Sequence, residues 1–191
     1  MPEVLDRTVQ RLAERAASTY YGKYRGIVTD LADPEDRCRI RATVPAILGE
    51  QACGWAMPAS PWAGAGQGVV MLPAIGSGVW IEFEAGRLDS PIWSGAWWAS
   101  GQRPNPKGEA VRVLVSEAGH RIVIDDEKDE LVISHGGGPS ITLTADEIVL
   151  ACGGCELRIG TSDISLNNGL AKIGLAGVSL VNGALALGTP P

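Results

Sequence analysis

The feature that most constrains this chain is the ladder that fills its second half. From Val111 onward the sequence breaks into short β-rich runs, "VRVLVS", "HRIVIDD" and "ELVISH" first, with turns at "EAG" and "DEKD". Paired aliphatic residues then follow: Ile141/Leu143, Ile148/Leu150, Leu157/Ile159, Ile164/Leu166 and Ile173/Leu175. Their spacings alternate between 7 and 9 residues, so a 16-residue repeat runs through Ile141, Leu157 and Ile173 and through Ile148, Ile164 and Leu180. Each strand offers one face only two or three aliphatic side chains, and no Phe, Trp or Tyr occurs after Ser100. A lone ribbon of such strands gains too little buried area to stand by itself. Two arrangements solve this: a single-chain solenoid coiled on itself, or several chains wrapped about a common axis. Between residues 141 and 191 only Asp146, Glu147, Glu156, Arg158, Asp163 and Lys172 are charged. Low charge and short strands favour a narrow prism in which three copies share one core. About ten strands at ~4.8 Å would make a stem on the order of 50 Å long.

The first hundred residues read differently. Val4, Leu5, Val9, Leu12, Ala13 and Ala16 recur at helical spacing among Asp6, Arg7, Arg11, Glu14 and Arg15, predicting a short amphipathic helix or arm over residues 1–19. It either folds back on its own domain or docks on a neighbour. "YYGKYRGIVTD" and "RCRIRATVPAI" are β-rich, and "DLADPED" between them is a turn. Alternation puts Arg37, Arg39 and Arg41 on one solvated face. In "GVWIEFE", Val79, Ile81 and Phe83 face one side while Trp80, Glu82 and Glu84 face the other. With "DSPIWSGAWW" beyond the turn "AGRLDSP", roughly five strands in about 80 residues predict a small OB-type barrel over residues 20–100. Residues 101–110 read as a linker and residues 111–191 as the stem. Six tryptophans are many for such a barrel, and an indole row on the Trp80 face reads as a subunit interface.

Composition excludes several classes. Sixteen basic against 22 acidic residues, net charge -6, argue against a nucleic-acid partner, since phosphates are bound chiefly by Lys and Arg. Cys38, Cys53, Cys152 and Cys155 form no secreted disulfide framework and read as reduced thiols of a protein made in the cytoplasm. No signal peptide and no run of about 18 apolar residues is visible. The C-G-G-C of Cys152 and Cys155 reads as packing rather than a redox or metal pair, and Asp125, Asp126, Asp129 and Glu130 as a solvated acidic turn. No catalytic residue, cofactor or metal site is predicted.

The order of parts, and the stretch "LPAIGSGVWIEFEAGRLDSPIWSGAWW" with Pro73, Gly76, Gly78, Val79 to Phe83, Gly86, Pro91, Ile92 and Gly95, resembles the central spike of contractile tails, the phage baseplate assembly protein V and VgrG family. "YYGKYRGIVTDLADPEDRCRIRATVPAI" looks like that barrel's first hairpin, and "SEAGHRIVIDDEKDELVISHGGG" like the opening of its stem. The resemblance covers roughly Tyr20 to Pro191. It implies an all-β protein with an N-terminal short helix, an OB-fold barrel and a C-terminal intertwined trimeric β-helix or β-prism stem. It further implies a homotrimer at the centre of a baseplate, its barrels bound to a hub protein and its stem a needle that pierces the target cell membrane on firing. Trp80, Trp93, Trp97 and Trp98 become candidates for packing the barrels against one another and the hub. Ile141, Leu143, Ile148, Leu150, Leu157, Ile159, Ile164, Leu166, Ile173 and Leu175 become the stem core.

The chain departs from some relatives. "ASGQRPNPKGEA" is too short to hold the lysozyme domain that some carry there, and the end "LVNGALALGTPP" lacks the iron-binding His-x-His apex of simple phage spikes. An apolar end leaves room for a separate PAAR-like tip protein on Leu185, Leu187 and Pro190. The competing readings are an OB-fold nucleic-acid binder, which leaves the ladder unexplained, and a single-chain β-solenoid enzyme such as an acyltransferase, whose repeats recur every six residues. Assembly in the producing cell's cytoplasm and incorporation into a phage tail, virion or injection particle are the expected localisation.

Overall fold

The computed structural model describes residues 2–175, 177–180 and 185–187. Two compact units divide between Gln102 and Arg103. The first begins with helix α1 (Pro2–Ala17), whose residues 6–16 are exposed, Val9 and Leu12 included. Strand β1 (Tyr24–Asp30), strand β2 (Arg41–Thr43), the single turn α2 (Pro45–Leu48) and strand β3 (Met57–Pro58) follow. A small hairpin of β4 (Ala63–Gly64) and β5 (Gln67–Gly68) precedes β6 (Gly78–Phe83) and β7 (Pro91–Trp97). The main sheet runs β2-β1-β6-β7-β3. Ile40 and Ala56 exchange backbone hydrogen bonds of 3.2 and 2.8 Å, which returns the chain beside β3 to the chain beside β2 and closes the ring. That closure removes the sheet edges, as a small barrel must.

The barrel core follows the alternation of its strands. Val28, Ile40, Ala42, Val44, Cys53, Ala56, Val79, Ile81 and Phe83 are buried together. Tyr20 and Tyr24 lean on Phe83, with ring centroids 6.3 and 5.9 Å away. Burial alone pushes the Cys53 thiol above its ordinary range.

One expectation fails at the start of β2. Arg37, Arg39 and Arg41 do not form a solvated row, because the chain is not extended before Ile40: Asp36 and Cys38 adopt positive φ of 50° and 58°. Asp33 organises this turn. Its carboxylate accepts the backbone N–H groups of Glu35, Arg37 and Arg39 and takes the Arg39 guanidinium at 2.6 and 2.9 Å. Arg39 is left 11% exposed, and its charge holds Asp33 far below the usual carboxylate range.

The second unit is a meander. Strands β8 (Val111–Val115), β9 (Arg121–Asp125), β10 (Glu130–Ser134), β11 (Ser140–Leu143), β12 (Glu147–Cys152), β13 (Cys155–Gly160), β14 (Asp163–Leu166), β15 (Ala171–Gly174), β16 (Gly177–Leu180) and β17 (Leu185–Leu187) make one antiparallel sheet of ten. Each strand pairs only with its neighbours in sequence. At the base, the His120 and His135 rings lie 4.2 Å apart, and their Nδ1 atoms accept the backbone N–H groups of Gly136 and Gly137.

Candidate assembly interface

The cross-strand register sorts the stem's side chains into two faces. Ile122, Ile133, Ile141, Leu150, Leu157, Leu166, Ala171 and Leu180 face one another in succession across β9 to β16. A second column beside it runs Ile124, Leu131, Leu143, Ile148, Ile159, Ile164, Ile173 and Val178. Both columns lie on the same face, because residues two apart in a strand point the same way. The opposite face carries Thr142, Val149, Arg158, Ser165, Lys172 and Ser179 in line. There Arg158 pairs with Glu147 and Glu156, and Lys172 with Asp163 at 2.5 Å.

The aliphatic columns are not covered. Ile122, Ile133, Ile141, Ile148, Leu150, Ile159, Ile164, Leu166 and Ile173 are all exposed, and Leu143 and Leu157 are half-buried. Among the described residues of this unit, only Val123 and Asp125 are buried. Nine of the ten stem-core residues named from the sequence therefore sit in the two columns. Leu175 does not: it lies in the turn after β15 and is 98% exposed, and Ala171 takes the place opposite Leu166. A two-residue alternation in the sequence cannot show where a four-residue strand stops. The backbone of Leu185 and Leu187 pairs with β16, while their side chains and Pro190 lie outside the described residues.

In the barrel the four tryptophans part company. Trp93 and Trp97 are four residues apart and would share a face in a regular strand. Val79 pairs with Ala96 and Ile81 with Trp93, so β7 carries an extra residue at Gly95, whose φ is 133°. This β-bulge switches the faces. Trp93 turns to the core cluster and donates its indole N–H to the Cys38 carbonyl at 3.2 Å. Trp97 turns outward, lies over Gly78, and donates to the Val79 carbonyl at 3.1 Å. The Arg25 guanidinium stands 5.8 Å from the Trp80 ring and 5.1 Å from that of Trp97. Nearby, Lys23 donates to Glu82 at 2.6 Å and to Ser94 at 2.8 Å, and the lysine holds Glu82 below its ordinary pKa. Trp98, just past the strand, is 68% exposed.

A second apolar surface of the barrel escapes the sequence reading. The segment around β4 and β5 exposes Trp62, Val70 (70%), Met71 (62%) and Ile75. A signal was available: residues 51–81 contain no Asp, Glu, Lys or Arg. Thirty-one consecutive uncharged residues, part of them on the surface, match the charge-depleted core of a protein interface. A cleft of about 700 Å³ lies beneath this hairpin, with Trp93, Cys38 and Trp62 in its walls.

The geometry thus describes a small closed barrel with apolar outer patches and a sheet with an open aliphatic face, the features of an assembly component. Residues 24–98 match the family model of the type VI secretion system/phage-baseplate injector OB domain. Over those residues the chain carries this injector OB domain, a match that supports a baseplate spike-like family. The match supports a structural role related to phage or type VI baseplates. No curated protein matches the chain. Among the described residues, no helix is long and apolar enough to cross a membrane, and no three His, Cys, Asp or Glu side chains are grouped as metal ligands.

Proposed function

We propose that the chain is the central spike of a contractile tail or related injection system and works as a homotrimer. The observation that carries this reading is the open aliphatic face of the stem. Strands β9 to β16 expose two continuous aliphatic columns on one side, β12 to β15 place their ion pairs on the other, and water is a poor neighbour for the first. Three such sheets, turned inward, close a dry core of Ile, Leu and Val, with Arg158 and Lys172 left in solvent. The stem of residues 111–191 is then an intertwined β-prism that pierces the target membrane, joined through residues 101–110 to barrels of residues 20–100.

The barrels join one another and the hub protein through Trp80, Trp97, Trp98 and the uncharged hairpin surface of Trp62, Val70, Met71 and Ile75. Trp93 contributes by holding the wall from within. Residues 1–19 form an arm for a neighbouring component, and Leu185, Leu187 and Pro190 receive a PAAR-like tip protein. Its work is mechanical and non-enzymatic: an intertwined stem transmits force because no strand leaves without breaking hydrogen bonds to its neighbours. Assembly occurs in the producing cell's cytoplasm, and nucleic acid is no partner.

Light scattering on the purified protein, before and after warming in mild detergent, tests the reading. Three chains of 20.0 kDa give about 60 kDa, resistant to the detergent. A clean 20.0 kDa monomer overturns it.

A further inference from the structure

Cys152 ends β12 and Cys155 begins β13, and the two are paired directly in register across the Gly153-Gly154 turn. Gly153 has φ +58°, the left-handed value a primed two-residue turn asks of its first central residue. Cys152 is two residues beyond Leu150 and Cys155 two before Leu157, so both thiols stand on the aliphatic face. They stand outside its two columns, at the margin, where both are exposed and share a cleft with His135 and Pro139. Directly opposed residues of an antiparallel pair have Cα atoms about 4.5–5.5 Å apart. A disulfide accepts about 4.4–6.8 Å, and the two glycines let the turn adjust the Cβ vectors.

The chain's other thiols lack this arrangement: Cys53 is buried in the barrel core, and Cys38 lies in the barrel's β1–β2 connection.

We propose that Cys152 and Cys155 form a dithiol–disulfide site, reduced while the chain is made among cellular thiols and closed into an intrachain disulfide by small-molecule disulfides outside. One thiolate of the pair attacks a sulfur of the small disulfide, forms a mixed disulfide and expels one thiolate. The second cysteine, as thiolate, attacks the protein sulfur of that mixed disulfide and expels the other. The S–S bond of the small molecule is reduced to two thiols, the protein pair is oxidised by two electrons, and the two cysteine protons end on the released thiols. The product staples β12 to β13 at their turn, fixing the register of the strands that carry Leu150 and Leu157. The proposal does not depend on the number of chains in the stem.

The test equilibrates the full chain with oxidised glutathione, blocks remaining thiols, and digests with trypsin. Cleavage after Lys128 and Arg158 leaves both cysteines, and neither Cys38 nor Cys53, on one peptide of residues 129–158. That peptide is expected to lose two hydrogen masses, and in Cys152→Ser it is expected to hold one glutathione on Cys155. An unshifted wild-type peptide, one carrying two glutathiones, or one linked to a second chain would overturn the proposal. Native light scattering of the same sample reports the chain number separately, so failure of the dithiol site and failure of the trimer are told apart.

Discussion

Ile159 lies in the middle of the aliphatic columns, between Ile148 of β12 and Ile164 of β14, and is 38% exposed in the single chain. Full burial of an isoleucine side chain contributes about 1.5–3 kcal/mol, so covering the remaining third adds about 1 kcal/mol per chain and about 3 kcal/mol per trimer. Replacing it with Asp removes that gain and forces three unpaired carboxylates into a dry core. An uncompensated buried charge costs about 3–5 kcal/mol each, so the trimer loses roughly 10 kcal/mol or more, comparable with the whole stability of an ordinary domain. Ser165→Asp is the matched control: it adds the same charge on the opposite face, in register with Arg158 and Lys172. Light scattering should find Ile159→Asp at the single-chain mass of 20.0 kDa, or aggregated, and Ser165→Asp still at three chains. If Ile159→Asp keeps a detergent-resistant trimer, the aliphatic face is not the shared core and the reasoning from register to assembly is wrong.

Two further outcomes concern the barrel. Asp33→Asn should lower its stability to urea at neutral pH; because Asp33 is held well below the ordinary carboxylate value, the stability it adds is present above pH ~4 and fades as pH falls, so the gap between wild type and variant should narrow in acid. Gly78→Ala would place a Cβ about 2.5 Å from the Trp97 indole, and a loss of about 1–3 kcal/mol with a shifted tryptophan emission spectrum is expected.

What could be read from the sequence follows the period of each element. Alternation in "GVWIEFE" put Val79, Ile81 and Phe83 together on one face, which the structure buries, and paired aliphatics identified nine residues of the stem columns, because a strand's faces repeat every two residues. Breaks in that period were harder to see. Gly95 inside "PIWSGAWW" is the kind of residue that marks a bulge, and reading it so would have separated Trp93 from Trp97. Nothing local announced that Arg39 would turn from solvent to Asp33, since that pairing depends on positive φ at Asp36 and Cys38. The uncharged run of residues 51–81 was legible but has no period, and so no strand or helix pattern drew attention to it.

The strand connections bear on the two ways of covering the ladder. A single-chain solenoid hides its aliphatic residues by returning strands of its own chain across the core, which requires contacts between strands far apart in sequence. Here the order from β8 to β17 is strictly sequential, so among the described residues no strand pairs out of order or lies over the face that Ile141, Ile148 and Ile159 present. The barrel shows that the same chain can bury a core by itself when it has the means: aromatic residues and a bridge at Ile40 and Ala56 that brings distant strands together. The stem has neither, yet its register keeps ions and aliphatics on separate faces from β12 to β15, an arrangement that gains nothing for a sheet meant to stay alone in water. Cover by other copies is the proposal this arrangement supports, and the number of chains, rather than any side-chain chemistry, is the property that tests it.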